Sequence, residues 1–357
     1  MNRVLLAFVL LSCSDGGTTD NFDRSAMLQS MTDTVFLPTY QDFVVQTEAL
    51  QQTTEAFCAA PDEAGFAALR DAFGAAKAPL KQAEPFSFGP HTDNPLRLGP
   101  TVDFWPARTP TVDDVLADSA PLSVEALDGM GSGAKGFPAL GYLLFSPDDP
   151  LAALQAEPRR CEYALALTAH LHRQAGEYVD AWASEGGDHG GALVNGTTPY
   201  RSVFAAASVV FDQMVFTIEN VRELKVGKPQ GRRNDRVPDL TLLEAPFSER
   251  SLGDAIDALR GVRNVYSGDF NGVDGVGIRD WLLSRRPELD PQVTEGIDTA
   301  IARLEALEPT SLGDAITMAP GDVDAAYDAI RDLQRFLSTE VAGALSVTVT
   351  FNPTDGD

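Results

Sequence analysis

The four histidines are the residues of this sequence best suited to bind a metal, and their spacing does not favour a site. His170 and His172 lie two positions apart in a predicted helix, which directs them to different faces. Metal sites on helices instead pair ligands three or four residues apart. His91 and His189 lie in predicted loops without a further ligand at a useful spacing. We therefore expect surface or packed histidines.

Two other stretches carry residues that could do chemistry. Residues 269–280, DFNGVDGVGIRD, resemble a calcium loop, but Val273 stands where a carboxylate or amide ligand is needed. A glycine-rich connection between helices is the better interpretation. The basic stretch KVGKPQGRR, residues 225–233, could bind phosphate, but in so acidic a chain we expect it to pair with carboxylates or face solvent. The sequence has neither a G-x-S-x-G nucleophile motif nor a phosphate-binding loop.

Composition limits the class of protein. The chain has 357 residues, 44% of them hydrophobic, which is enough for a sizeable core in one large or two modest domains. Its formal net charge is −25, and the acidic residues are scattered. Such a surface repels nucleic acid, so we expect no nucleic-acid partner.

The first 13 residues are typical of an export signal. Arg3 precedes the apolar run 4–11, and a small residue and Cys13 follow. The LLSC sequence resembles a bacterial lipobox, in which the cysteine is lipidated; a generic cleavage site before a chance cysteine is the alternative. Residues 14–23 form a polar tether, and Ser14 after the cysteine resembles the pattern for outer-membrane export. We expect a lipid anchor in the outer membrane, on its periplasmic or surface face.

Two further cysteines, Cys58 and Cys161, form an even pair in an exported protein, which suggests a disulfide. It would join the end of an early helix to the start of a later one, and it requires Cα atoms within about 7 Å of each other. Two buried free thiols are the alternative.

Hydrophobic periodicity is helical along nearly the whole chain, and it predicts, among others, helices near 123–129, 136–145, 158–185, 251–266, 275–285, 291–307 and 321–343. Pro38 is expected to kink or end the first helix. Residues 85–110 contain six prolines and no periodicity, which predicts a long structured loop. No alternation of strands and helices occurs, so the predicted class is all-α, built from bundles. The expected organisation is a helical domain at 24–343, with bundles at roughly 24–185 and 197–343, and a tail at 344–357.

Five segments resemble the imelysin family of exported, often lipid-anchored bacterial proteins. They are AEPFSFGP (83–90), DFWP (103–106), GFPALGYLLF (136–145), ELKVGKPQG (223–231) and FSERSLGDAIDALRGVRNVYSG (247–268). The resemblance extends from about residue 30 to residue 342. It implies two helical bundles that face each other across a groove.

The family motif corresponding to residues 136–145 reads Gly-Phe-His-x-x-Glu-Tyr-Leu-Leu-Phe. Its His and Glu share one helical face and are the proposed ligands of a divalent or ferric metal. Here those positions hold Pro138 and Gly141, while Gly136, Phe137 and Tyr142 remain. The resemblance therefore implies that the metal pair is lost, and we expect no cofactor.

The matched segments also imply groove residues. These are Glu84, Phe88, Asp103 and Trp105. For Glu84 the alternative is a glutamate at a helix end that accepts hydrogen bonds from backbone N–H groups.

The resulting expectation is a non-catalytic envelope protein that binds an unknown ligand or envelope protein, with a link to iron acquisition implied by the family. A metallopeptidase with rearranged ligands and an envelope scaffold are the alternatives. An open groove with converging polar side chains would favour binding, and a closed apolar groove would favour the scaffold.

Overall fold

The computed structural model describes residues 21–146, 148–307 and 311–349. The predicted signal peptide with Cys13, most of the tether 14–23 and much of the tail 344–357 lie outside the described residues. Within them the protein is all-α, as predicted, and no strand occurs; a single isolated bridge pairs Phe270 with Val273. None of the described helices is both long and apolar enough to cross a membrane.

The α-helices follow each other through turns and loops, of which the longest run between α3 and α4 and between α11 and α12. They are α1 (Arg24–Met31), α2 (Leu37–Ala59), α3 (Glu63–Gln82), α4 (Gly99–Val102), α5 (Thr109–Ala117), α6 (Val124–Asp128), α7 (Gly136–Phe145), α8 (Pro150–Ala156), α9 (Pro158–Trp182), α10 (His189–Asn195), α11 (Val203–Asn220), α12 (Ser251–Ser267), α13 (Ile278–Arg285), α14 (Asp290–Glu305), α15 (Leu312–Met318), α16 (Pro320–Phe336) and α17 (Ala342–Leu345). Wider π-helical turns occur at Thr32–Phe36, Val221–Gly227 and Leu337–Val341.

The helix does not end at Pro38, contrary to one of the two outcomes expected from the sequence. α1 continues into α2 through the π-helical turn Thr32–Phe36, where the N–H of Leu37 donates to the carbonyl of Thr32, five residues back. Proline lacks an N–H and crowds the carbonyl four residues before it. The wider turn gives this segment the room that a regular helix would not.

Two groups of helices make up the fold. In the first, α2 packs against α3 and α9, and α7 packs against α9; in the second, α12 and α16 both pack on α14 and on α11. The groups meet where α3 packs against α12 and where α11 packs against the short 3₁₀ helix Glu84–Phe86. This arrangement matches the expected pair of bundles, while the boundaries near 185 and 197 stay a prediction.

A glycine permits the close approach of α3 and α12. A Cβ atom at Gly261 of α12 would lie 2.1 Å from the carbonyl oxygen of Gln82, so no other residue fits there without moving a backbone. The last turns of α3 are therefore held directly against the second group, and their side chains project into the junction.

A disulfide joins Cys58, in the last turn of α2, to Cys161, in the first turn of α9. The two Cα atoms are 5.7 Å apart, within the range that a disulfide requires. The structure thus has the bonded arrangement and not two free thiols.

Candidate ligand-binding site

Three lysines are buried at the junction of the two groups. Lys77 and Lys81 lie four residues apart on one face of α3, and Lys225 comes from the π-helical turn Val221–Gly227 after α11. Their side chains are between 3% and 7% exposed. Buried ammonium groups are costly unless carboxylates surround them.

Carboxylates from four different segments supply that compensation. The Nζ atom of Lys81 lies 2.7 Å from an oxygen of Asp103 and 3.1 Å from one of Glu84, and it also bonds Glu244. The Nζ atom of Lys225 lies 2.8 Å from Glu84 and 2.7 Å from Glu244. Glu84 and Glu244 therefore each bridge one lysine of the first group and one of the second.

Lys77 extends these contacts toward α12. Its Nζ atom is 2.7 Å from Asp254 and 3.9 Å from Asp103. Arg250 in turn binds Asp254 at 3.0 Å and Asp257 at 2.6 Å. We call the whole set the ion network: Lys77, Lys81, Lys225, Arg250, Glu84, Asp103, Glu244, Asp254 and Asp257.

The network keeps Lys81, Asp103 and Glu244 charged. Burial alone would lower the pKa of Lys81, but the surrounding carboxylates, Asp103 foremost, together raise it well above its ordinary value. Burial would likewise raise the pKa values of Asp103 and Glu244, and the lysines outweigh it and lower both. At neutral pH these groups are ionised and hold the two helix groups together.

One face of the network borders a cavity of about 320 Å³, here called the ion-lined cavity. Five charged residues line it: Lys81, Glu84, Asp103, Lys225 and Glu244. The amides of Gln213 and Asn220 on α11 complete its polar wall, and Gln213 donates to the backbone carbonyl of Glu84 at 3.1 Å. This is the arrangement of converging polar side chains that favours binding over a purely structural groove.

A second cavity, of about 310 Å³, lies on the other side of Trp105 and Glu244, which line both. Its walls include Phe73, Phe137 and Phe247, and we call it the aromatic cavity. The indole N–H of Trp105 donates to the carbonyl of Leu243 at 2.8 Å, which fixes the dividing wall.

Pro138 and Gly141, at the two positions that the imelysin motif fills with His and Glu, face the aromatic cavity. Neither side chain can bind a metal, and the charged groups on the same space are Lys77 and Glu244, the latter already paired with Lys81 and Lys225. Among the described residues no group of three or more His, Cys, Asp or Glu is placed to hold a metal ion. The residues present therefore do not fit the family's metal.

Each histidine has a separate partner. His91 bonds Tyr178 at 2.8 Å, His170 faces Asp128 at 3.5 Å, His172 faces Thr47 at 3.4 Å and His189 bonds Tyr200 at 2.9 Å. Burial lowers the pKa values of His91 and His170 to about 4, so both rings are neutral at neutral pH. These are packed side chains, and the helical pair points to different neighbours.

Not all the residues expected in the groove reach it. Glu84 and Asp103 line the ion-lined cavity, Phe137 lines the aromatic cavity, and Trp105 lines both. Phe88 instead packs in the core of the first group, with its ring centroid 5.7 Å from that of Trp182.

Two residues flanking the lost pair have structural contacts. The hydroxyl of Tyr142 donates to Asp113 at 3.0 Å, and its ring packs on Phe247. Gly136 begins α7 with φ +73, and a Cβ atom there would lie 2.3 Å from the carbonyl oxygen of Val102. The retained motif residues thus position the helix that carries Pro138 and Gly141.

Sequence reasoning missed most of the ion network. Lys77 and Lys81 could have been noticed, because two lysines four residues apart in the otherwise apolar KAPLK segment share one helix face. Lys225 lies in the basic stretch expected to pair with carboxylates, and it does so. Asp254 lies in the segment 247–268 that resembles the family, but nothing in that segment indicated an ion pair with α3, and Glu244 belongs to no motif.

Comparison with known proteins places this geometry in a family. The family model described as Imelysin (Peptidase_M75) matches residues 36–337. No curated protein matches the chain.

Two solved structures share the fold. One is described as an iron-regulated protein A precursor from Parabacteroides distasonis ATCC 8503; it is 20% identical, with a TM-score of 0.74, and the match covers 94% of this chain and 97% of that one. The other is an imelysin-like protein from Psychrobacter arcticus 273-4; it is 17% identical, with a TM-score of 0.77, and the match covers 92% of this chain and 97% of that one. At these identities the likeness shows the fold alone.

Proposed function

The chain belongs to the imelysin family, and from that premise we propose that it is a lipid-anchored, non-catalytic binding protein of the bacterial cell envelope. Its ligand, a small molecule or part of an envelope protein, binds in the groove between the two helix groups. The observation that carries this proposal is a groove with two adjoining cavities, the ion-lined cavity with its converging charged side chains and the aromatic cavity at Pro138 and Gly141. Where the motif would supply a metal pair, this chain supplies an apolar space of ligand size.

A peptidase role has little support from these residues. A catalytic zinc needs about three protein ligands and a bound water, which a general base then activates. Pro138 and Gly141 remove two ligands at once. Of the two charged groups on the same cavity, Lys77 repels a divalent cation, and Glu244 is already paired with Lys81 and Lys225. A link to iron acquisition, drawn from the family and from the description of one structural relative, would then act through the bound ligand or partner.

Metal titration tests the non-catalytic assignment. We expect the native protein to bind neither Zn²⁺ nor, under anaerobic conditions, Fe²⁺ in stoichiometric amounts, as measured by calorimetry and elemental analysis. The double variant Pro138→His/Gly141→Glu should gain affinity by about tenfold or more, because it restores two ligands on one helix face. The matched control Pro138→Ala/Gly141→Ala changes the same backbone positions without adding ligands. Stoichiometric metal in the native protein would overturn the proposal.

The anchor is proposed from the sequence around Cys13. Cells that produce the native protein should incorporate labelled palmitate into it, and the protein should fractionate with membranes. In the Cys13→Ser variant the label should be absent and the protein should appear in the soluble fraction, because no acyl chain then holds it. Equal labelling of the two proteins would show that Cys13 is not the lipidated residue.

A further inference from the structure

We propose that the aromatic cavity binds a neutral ligand about the size of two fused aromatic rings, which carries a hydroxyl or carbonyl oxygen. This inference rests on the proposed binding function and names the class of its ligand. The volume of about 310 Å³ sets the size. An apolar cavity of about 150 Å³ is known to accept benzene, so this one has room for roughly twice that.

The walls select a flat ring system. Phe73 and Phe137 meet edge to face, with centroids 5.5 Å apart and planes at 81°, and Phe247 and Trp105 contribute two further rings. Aromatic side chains held in this way offer both faces and edges to an inserted ring. Gly141 contributes to the space by having no side chain: a Cβ atom there would already lie 3.5 Å from the ring of Phe73.

The oxygen is assigned from Lys77, which lines the cavity and is 3% exposed. An ammonium group has three N–H donors. Among the described residues, Asp254 at 2.7 Å lies within hydrogen-bond distance, whereas Asp103 at 3.9 Å lies beyond it. Of these two carboxylates only Asp254 is within reach, so the ammonium keeps the capacity to donate to a ligand oxygen.

The charge of the ion network makes a neutral ligand the best match. Its four cations face five carboxylates, and one of these, Asp257, also pairs with Arg260 at 3.2 Å, so the charges balance. A carboxylate ligand would add an uncompensated negative charge to a buried region. An ammonium ligand would lie against Lys77, while Glu244, the carboxylate that lines the same cavity, is already paired with Lys81 and Lys225. A hydroxyl or carbonyl oxygen accepts a hydrogen bond from Lys77 and leaves the balance unchanged.

Calorimetry with four matched probes tests this assignment on the native protein. The probes are 2-naphthol, naphthalene, 2-naphthoate and 2-naphthylmethylammonium, which share the ring system and differ in the polar group. We expect 2-naphthol to bind one site about fivefold more tightly than naphthalene, because an affinity ratio of that size corresponds to one additional hydrogen bond. The anion and the cation should each bind about tenfold or more weakly than 2-naphthol.

Two glycine variants locate the site. Gly141→Leu should fill the cavity and weaken 2-naphthol binding by about tenfold or more. Gly176→Leu is the matched control, because Gly176 lies within α9 and a Cβ atom there would meet nothing within 4 Å. It should bind 2-naphthol like the native protein. Lys77→Met, where it folds, should bind 2-naphthol and naphthalene equally.

Several results would overturn the inference. If 2-naphthoate or the ammonium probe binds more tightly than 2-naphthol, the proposed ligand class is wrong. If Gly141→Leu binds 2-naphthol as the native protein does, the site lies elsewhere. If none of the probes binds the native protein, the ligand class is wrong while the non-catalytic assignment still stands on the metal titration. Stoichiometric metal in the native protein would overturn that assignment whatever the naphthol result.

Discussion

Replacing Lys81 with methionine is expected to lower the free energy of unfolding by about 3–5 kcal/mol, the usual cost of breaking a buried ion pair from one side. Methionine keeps the aliphatic stem but leaves Asp103, Glu84 and Glu244 without their shared ammonium. Urea unfolding at pH 7 measures the loss. Folding lowers the pKa values of Asp103 and Glu244. The stability that these two carboxylates give the folded protein is therefore present at pH values above the ordinary pKa range of carboxyl groups, and it is lost as the pH falls below that range.

Lys228→Met is the control for this substitution. Lys228 is half-buried and lies over the ring of Trp105 at 5.3 Å, so its loss should cost no more than about 1 kcal/mol. The double variant Lys81→Met/Glu244→Gln should lose less free energy of unfolding than the two single variants added together. In the double variant neither Lys81 nor Glu244 is left as a buried charge without its partner. An equal loss in Lys81→Met and Lys228→Met would contradict the role given to the ion network.

Replacing Cys58 and Cys161 together with alanine is expected to lower the free energy of unfolding by about 2–4 kcal/mol. The two residues are 103 positions apart, so the bond closes a long loop and restricts the unfolded chain strongly. Guanidinium unfolding in the Cys13→Ser background measures the effect without a third thiol. Dithiothreitol should destabilise the chain that has the disulfide by a similar amount and should leave the alanine variant unchanged. Two titratable thiols in the folded, unreduced chain would refute the bond.

The helical class could be predicted because periodicity is a local property of the sequence. The predicted helices near 136–145 and 251–266 correspond closely to α7 and α12. The short α10 and α15 were not predicted, since a helix of about two turns carries too little periodicity to be recognised. Of the two outcomes expected at Pro38, the helix end does not occur. A π-helical turn just before the proline accommodates it, and no sequence rule indicates that turn.

The candidate site was only partly predictable, because its contacts join residues far apart in the sequence. Pro138 and Gly141 were found from the motif, but the motif says nothing of what replaces a metal. The bond between Lys81 and Glu244 spans 163 positions, and only the packing of α3 against α12 brings them together. Phe88 was assigned to the groove because its neighbours in the motif lie there, whereas its own ring points into the core.

The position of Trp105 has a practical consequence. Of the three tryptophans in the sequence, Trp182 and Trp281 are buried elsewhere, whereas Trp105 forms part of the partition between the two cavities. A molecule that enters either cavity lies against this indole, whose emission depends on the polarity around it. The unlabelled protein therefore contains its own optical probe, placed at the boundary between an ionic compartment and an apolar one.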